Sequence, residues 1–185
     1  DRRLRRLRRD RATASFSAAY LHHHAANELL ERLSSVKRDF RDALNLGCAD
    51  GYLTAELSRR GLRVTSADAG TIIARSQARG IQCDEDRLPI AEASFDLVVS
   101  VGVFDSVNDL PGALTLIRRA LRPDGLLLAA FGGAGSLPRL RAAMQGADPA
   151  ETGGASARIH PQIDVRAAGD LLTRAGFTLP VADTE

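Results

Sequence analysis

Five short apolar runs, spaced by amphipathic or polar stretches, constrain this chain more than any other feature. They are "ALNLG" from Ala43, "RVTSAD" from Arg63, "IQCD" from Ile81, "SFDLVVSVGV" from Ser94 and "LLLAAF" from Leu126. The fourth is almost unbroken in its apolar character, which marks a strand covered on both faces, as in a parallel sheet. Between the runs, "GYLTAELSRRG" reads as a helix with Leu53 and Leu57 inward and Gly61 as its stop, and "TIIARSQARG" as a second helix closing on Gly80. "DLPGALTLIRRAL" reads as a third helix. Asp109 is placed to cap it, Pro111 lies in its first turn, and Leu110, Leu114, Ile117 and Leu121 share one face. "RPDG" then turns the chain into the fifth strand. Strands alternating with helices predict an α/β fold, a doubly wound Rossmann-like sheet with helices on both sides.

Upstream, "AAYLHHHAANELLERLSSV" predicts an amphipathic helix or helix pair ending near Ser34 and Ser35, with Leu21, Leu29, Leu30 and Leu33 at helical spacing. His22, His23 and His24 are consecutive and splay around a helix, so they do not converge on one metal ion, and no metal site is expected. The chain divides into an arginine-rich arm with N-terminal helices, residues 1–36, and the α/β domain, residues 37–185. With 185 residues and 44% apolar content it can bury one sizeable core. No run approaches the roughly 20 apolar residues of a membrane helix, so a cytoplasmic location is the first expectation. Cys48 and Cys83 are too few for a disulfide framework, and strand ends two places apart lie about 10 Å from one another, beyond bridging distance. Because the chain opens on Asp1, we expect it to start inside a longer product.

The net charge of +2 is unevenly spread. "DRRLRRLRRDR" holds seven arginines and two aspartates, leaving 18 basic and 21 acidic residues elsewhere. The bland reading of this arm is a solvated helix with Leu4 and Leu7 as a thin apolar edge; the alternatives are docking to nucleic acid, an anionic membrane surface or an acidic protein face. It lacks interleaved aromatics, which disfavours nucleic acid.

In an open parallel sheet, ligands collect beyond the carboxyl ends of the strands. Gly47 would let the backbone turn sharply there, and Gly51 would let a ligand or helix approach. Asp68, ending the second strand, could accept both hydroxyls of a ribose, and Asp84, ending the third, an adenine amino group. An adenosine-containing cofactor is expected. The run Gly47-Cys48-Ala49-Asp50-Gly51 lacks the G-x-G-x-x-G spacing, and Asp50 would repel a pyrophosphate, so NAD is disfavoured. S-adenosylmethionine, a sulfonium with an amino-acid head, tolerates a carboxylate beside the turn. The expected contact set is Asn45, Gly47, Cys48 (through its backbone), Ala49, Gly51, Asp68, Ala69, Asp84, Glu85 and Ser100.

"LNLGCADGYL", "SADAG", "CDEDRLPIAEASFDLVVS" and "LRRALRPDGLLLAAFGG" resemble the successive motifs of class I S-adenosylmethionine-dependent methyltransferases over residues 43 to 133. More narrowly, "DRRLRRLRRDRA", "VNDLPGAL", "FGGAGSLPRLR" and "DLLTRAGFTLPVADTE" resemble the family of the mitochondrial complex I assembly factor five and its alphaproteobacterial relatives. That family is similar in turn to the malonyl-carrier-protein methyltransferases of biotin synthesis. The resemblance implies an S-adenosylmethionine-binding protein that modifies an arginine on an iron-sulfur subunit of complex I, in the bacterial cytoplasm or the mitochondrial matrix. It also favours docking or lid formation by the arm, with peripheral membrane contact as a further use. A methyltransferase of a small molecule or carrier-bound acid, and a catalytically silent assembly factor, remain alternatives.

Three departures stand out. Asn45 replaces a usual acidic residue, Ala49 replaces a usual glycine, and "VFDSVNDL" stands where relatives often show a His-Trp pair. No catalytic residue is assigned; Asp105, Asp109, Arg158 and His160 are polar candidates, each with a bland reading as a cap or surface residue. The glycine-rich "GGASARIHPQID" could cover the crevice as a mobile loop. Class I sheets generally finish with two more strands, whereas "FTLPVADTE" supplies one candidate, so we expect a sheet truncated at its C-terminal edge.

Overall fold

A computed structural model describes residues 1–152 and 160–184, without the side chains of residues 16 and 148–152. Five strands, β1 (Asp42–Leu46), β2 (Arg63–Asp68), β3 (Gly80–Gln82), β4 (Phe95–Val101) and β5 (Leu121–Ala130), form one sheet in the order β3-β2-β1-β4-β5. Every neighbouring pair is parallel. The chain runs outward from β1 to β3 on one side and then from β4 to β5 on the other, so the order reverses between β1 and β4, where such sheets open a crevice.

Helices α1 (Arg2–Ala12), α2 (Tyr20–Ser35), α3 (Tyr52–Arg59), α4 (Thr71–Ser76), α5 (Leu110–Ala120), α6 (Pro138–Thr152) and α7 (Val165–Arg174), with short 3-10 helices at Thr13–Ala18 and Glu85–Arg87, complete the described elements. Alternating strand residues feed two cores, one on each face of the sheet. Ala43, Leu97, Val99 and Val101 pack with Leu29, Leu30 and Leu33 of α2 and with Leu53 and Leu57 of α3. Leu44, Leu46 and Val98 face the other way, toward Leu114 and Ile117 of α5 and Leu171 and Leu172 of α7. The all-parallel, doubly covered sheet is the architecture expected from the apolar runs. No helix among the described residues is long and apolar enough to cross a membrane.

Four local expectations change. Leu21 is 67% exposed, and Ala26 takes the buried place on α2 beside Leu29, Leu30 and Leu33. The helix expected to run to Gly80 ends at Ser76, and Gly80 opens β3 instead. A Cβ there would lie 1.8 Å from the Ala74 carbonyl oxygen, so packing against α4 requires that glycine. The fifth strand begins at Leu121 rather than after "RPDG", with a register irregularity opposite Phe95 to Leu97 that takes up the turn. Finally, "FTLPVADTE" forms no strand in its described part: Leu179 has a left-handed φ of 52° next to Pro180, and the side chains of Leu179 and Val181 are exposed.

A carboxylate crevice filled by an arginine helix

The turn after β1 is built from left-handed backbone. Gly47, Ala49 and Gly51 have φ of 82°, 46° and 83°. Ala49 therefore carries its methyl in a conformation that glycine adopts without penalty, which accounts physically for the glycine usual at that position. The Gly47 and Cys48 amides donate to the Ala67 carbonyl at 2.7 and 3.3 Å, which pins the turn against β2. Asn45 points to the α3 face, not into the crevice: its amide nitrogen donates to Thr54 Oγ1 at 2.9 Å, and Thr54 shares a 2.8 Å bond with Ser66. Ser100 donates to the Leu46 carbonyl at 2.8 Å, tying β4 to the end of β1.

Asp68 is fully buried at the end of β2 and is the hub of the crevice. Its Oδ1 accepts from the Gly70 amide at 2.8 Å and from Arg9 Nε at 3.0 Å. Its Oδ2 accepts from the Ala49 amide at 3.3 Å and from Arg9 Nη2. Ala69 is buried beside it, and its carbonyl accepts from Gln82. Beyond β3, Asp84 precedes a short 3-10 turn, Glu85–Arg87; both Asp84 and Glu85 are buried. Asp84 Oδ1 accepts from Arg6 Nε at 3.1 Å, and its Oδ2 from Arg6 Nη2. Glu85 takes a bidentate grip on Arg5, at 2.5 and 3.0 Å, and Asp86 accepts from Arg2 Nη2 at 2.6 Å.

The reading of the arm as a solvated helix is thereby corrected. Arg2, Arg5, Arg6 and Arg9 lie at i, i+3, i+4 and i+7 and so share one face of α1, which lies along the carboxylates of the crevice. Burial alone would lower the Arg9 pKa, but the bond to and charge of Asp68 outweigh it and hold the guanidinium above its ordinary value. Asp10 adds a second tie, its carboxylate accepting from the Thr71 and Ile72 amides at 3.2 and 2.8 Å. Leu4 and Leu7 remain half-exposed on the outer face with Arg3, Arg8 and Arg11. Sequence reasoning found the carboxylates but not their partners, because nothing local couples Arg9 to a residue 59 positions away.

Next to the crevice lies a cavity of about 400 Å³. Phe104, Val107, Pro111 and Phe131 make its wall largely apolar, and Asp105, Ser106 and His160 supply polar groups. Asp105 Oδ1 is buried without a hydrogen-bond partner, and Ser106 Oγ accepts from Arg5 Nε at 3.3 Å. Ser106 thus joins cavity and crevice. Asp109 lies outside this chemistry and caps α5, accepting from the Gly112 amide at 2.9 Å. Arg158 lies outside the described residues. Burial raises both cysteine thiols to about 12, which leaves Cys48 and Cys83 protonated and inert. His23 bonds Asp50 at 2.5 Å and stacks on Tyr52, and the described residues hold no cluster fit for a metal ion.

Residues 44–129 match a methyltransferase domain model. The arginine-hydroxylase NDUFAF5, mitochondrial, of Danio rerio is 32% identical over the whole of this chain, which covers 61% of it. The malonyl-[acyl-carrier protein] O-methyltransferase of Methylovorus is 36% identical over 97% of this chain and 66% of its own length. The chain thus spans about three fifths of the curated relatives it matches. Among solved structures, a SAM-dependent methyltransferase of Thermotoga maritima superposes with a TM-score of 0.68 at 19% identity, covering 91% of this chain and 79% of its own. Fold, motif order and relatives together give this chain the class I methyltransferase fold, with a methyltransferase domain over residues 44–129.

Proposed function

We propose that the chain binds S-adenosylmethionine in the crevice and modifies an arginine of a protein acceptor, an iron-sulfur subunit of respiratory complex I during its assembly. The crevice fits the cofactor by its chemistry. Asp68 has two oxygens directed into the crevice for ribose hydroxyls, and Asp84 can accept from the adenine amino group. The left-handed turn of Gly47, Cys48, Ala49 and Gly51, with Ala69, Glu85 and Ser100 around it, shapes the remaining wall. When bound, the cofactor supplies an electrophilic methyl on sulfur, and the protein's contribution is alignment and exclusion of water. Asn45 supports the wall from behind through Thr54.

The observation that carries the arginine reading is the seat of Arg5. Its guanidinium rests on buried Glu85 and on Ser106, and Ser106 also lines the neighbouring cavity. The border between crevice and cavity therefore already accommodates a guanidinium with paired, charge-assisted bonds. The identity to arginine hydroxylases over the whole chain supports the same acceptor class, and such an acceptor would place the protein in the mitochondrial matrix or the bacterial cytoplasm. The second reading, methyl transfer to a carrier-bound acid, draws on the relatives of that activity and on His160, the one basic side chain among the described lining residues of the cavity.

Incubating the protein and S-adenosylmethionine separately with the iron-sulfur subunit and with malonyl-carrier protein, followed by mass spectrometry, distinguishes the two. Gain of a methyl on a subunit arginine, or of an oxygen atom in a parallel reaction supplied with dioxygen and a two-electron reductant, supports the first. Methylation of the carrier-bound acid alone favours the second, and no change in either acceptor leaves a silent assembly factor.

A further inference from the structure

The carboxylates at the ends of β2 and β3 do more than wall a cofactor crevice: we infer that they form a guanidinium-binding row whose resident occupant is α1, so that the arm and the cofactor exclude one another. This inference rests on the cofactor reading above. Four arginines at i, i+3, i+4 and i+7 meet Asp86, Glu85, Asp84 and Asp68 in strict antiparallel order, Arg2 to Asp86, Arg5 to Glu85, Arg6 to Asp84 and Arg9 to Asp68. A surface helix held by incidental charge would not match its hydrogen bonds to a row of acceptors one to one; the one cross-pairing is a 3.8 Å ion pair between Arg2 and Asp84. Three of the four acceptors are buried, Asp68 at 0%, Glu85 at 1% and Asp84 at 4% exposure, so the arginines are their principal counter-charges.

The overlap with the cofactor is direct. Both Asp68 oxygens, which ribose hydroxyls would need, are taken by Arg9, and the atoms of Arg6 that bond Asp84 stand where an adenine amino group would donate. Arg9 Nη2 also reaches within 3.8 Å of where a Cβ on Gly47 would lie, and Asp10 closes over Gly70. A cofactor must therefore displace α1, and its apparent affinity is reduced by the fraction of molecules with the arm in place. Displacement also turns Arg2, Arg5, Arg6 and Arg9 outward as an unpaired arginine face, which couples cofactor loading to a basic surface able to engage an acidic partner.

The test is calorimetric titration of S-adenosylmethionine into the full chain and its Arg9→Gln and Arg6→Gln/Arg9→Gln variants, with amide hydrogen exchange over residues 2–12 before and after cofactor. We expect at least about tenfold tighter binding by the variants and, in the unaltered chain, loss of protection in α1 on adding cofactor. A peptide of residues 1–12 added to the double variant should weaken its cofactor binding again. Equal affinities with unchanged exchange overturn mutual exclusion and leave the cofactor reading standing. Weaker binding by Arg9→Gln also overturns it and makes α1 a lid that holds the cofactor. No binding by any form at millimolar cofactor overturns the cofactor reading, and mutual exclusion with it.

Discussion

Val103 stands so close over Gly47 that no side chain fits between them: a Cβ at Gly47 would lie 2.0 Å from Val103 Cγ2, and Val103 is fully buried. Gly61 has the same left-handed φ, 86° against 82°, with nothing within 4 Å. Gly61→Ala therefore reports the backbone cost alone, about 1 kcal/mol. Gly47→Ala adds the clash and should cost about 2 to 4 kcal/mol. Urea unfolding of both variants measures the difference, and equal costs would remove Val103 from the argument.

Thr54 joins Asn45 to Ser66 through a single hydroxyl, and Thr54→Val leaves both without that bond. We expect a loss of about 1 to 3 kcal/mol. Ser58→Ala is the control, because that hydroxyl bonds only the Thr54 carbonyl in its own exposed turn and should cost less than about 0.5 kcal/mol. Comparable losses in the two variants would contradict a structural role for Thr54.

Burial lowers the His22 pKa below its ordinary 6.5, the nearby charge of Asp50 only partly opposing it. Between that lowered value and 6.5 the unfolded chain binds a proton that the folded chain does not, so stability rises with pH through this window and is lost as pH falls through it. His22 contributes at most about 1.4 kcal/mol per pH unit there. Stability of the chain and of His22→Leu, measured from pH 5 to 8, should show a shallower slope for the variant; parallel slopes would remove His22 as the source.

Cys48 and Cys83, with thiols raised to about 12 by burial, should resist a disulfide reagent at pH 8 in the folded protein and react fully in denaturant. Rapid labelling of either cysteine in the folded state would mean that the turn after β1 or the end of β3 opens on that timescale.

The sheet was legible because both of its faces are covered, which writes each strand as an apolar run, and "SFDLVVSVGV" is the plainest instance. Asp68 and Asp84 were legible as a pair: either alone also reads as a turn residue, but two acidic residues ending successive strands are hard to obtain by accident. Ala49 could be flagged only conditionally, because its meaning depends on a φ that sequence does not state. The partners of the carboxylates were not legible. The spacing of Arg2, Arg5, Arg6 and Arg9 announces a helix face but not what it meets, and Asp86 was not singled out. Leu21 misled because α2 is covered only over its later turns. Asp105 and Ser106 joined a common wall only once β4, α5 and the segment at His160 were placed together.

The central claim is that Asp68 receives the cofactor's ribose. Because Arg9 competes for the same carboxylate, the direct measurement is titration of S-adenosylmethionine into Arg9→Gln and into Arg9→Gln/Asp68→Ala, two proteins that both lack the Arg9 contact. A bidentate carboxylate contributes about 1.5 to 3 kcal/mol, so the second protein should bind at least about tenfold more weakly than the first. Equal affinity in the two proteins, with both folded by circular dichroism, would contradict the assignment of Asp68 and place the cofactor elsewhere.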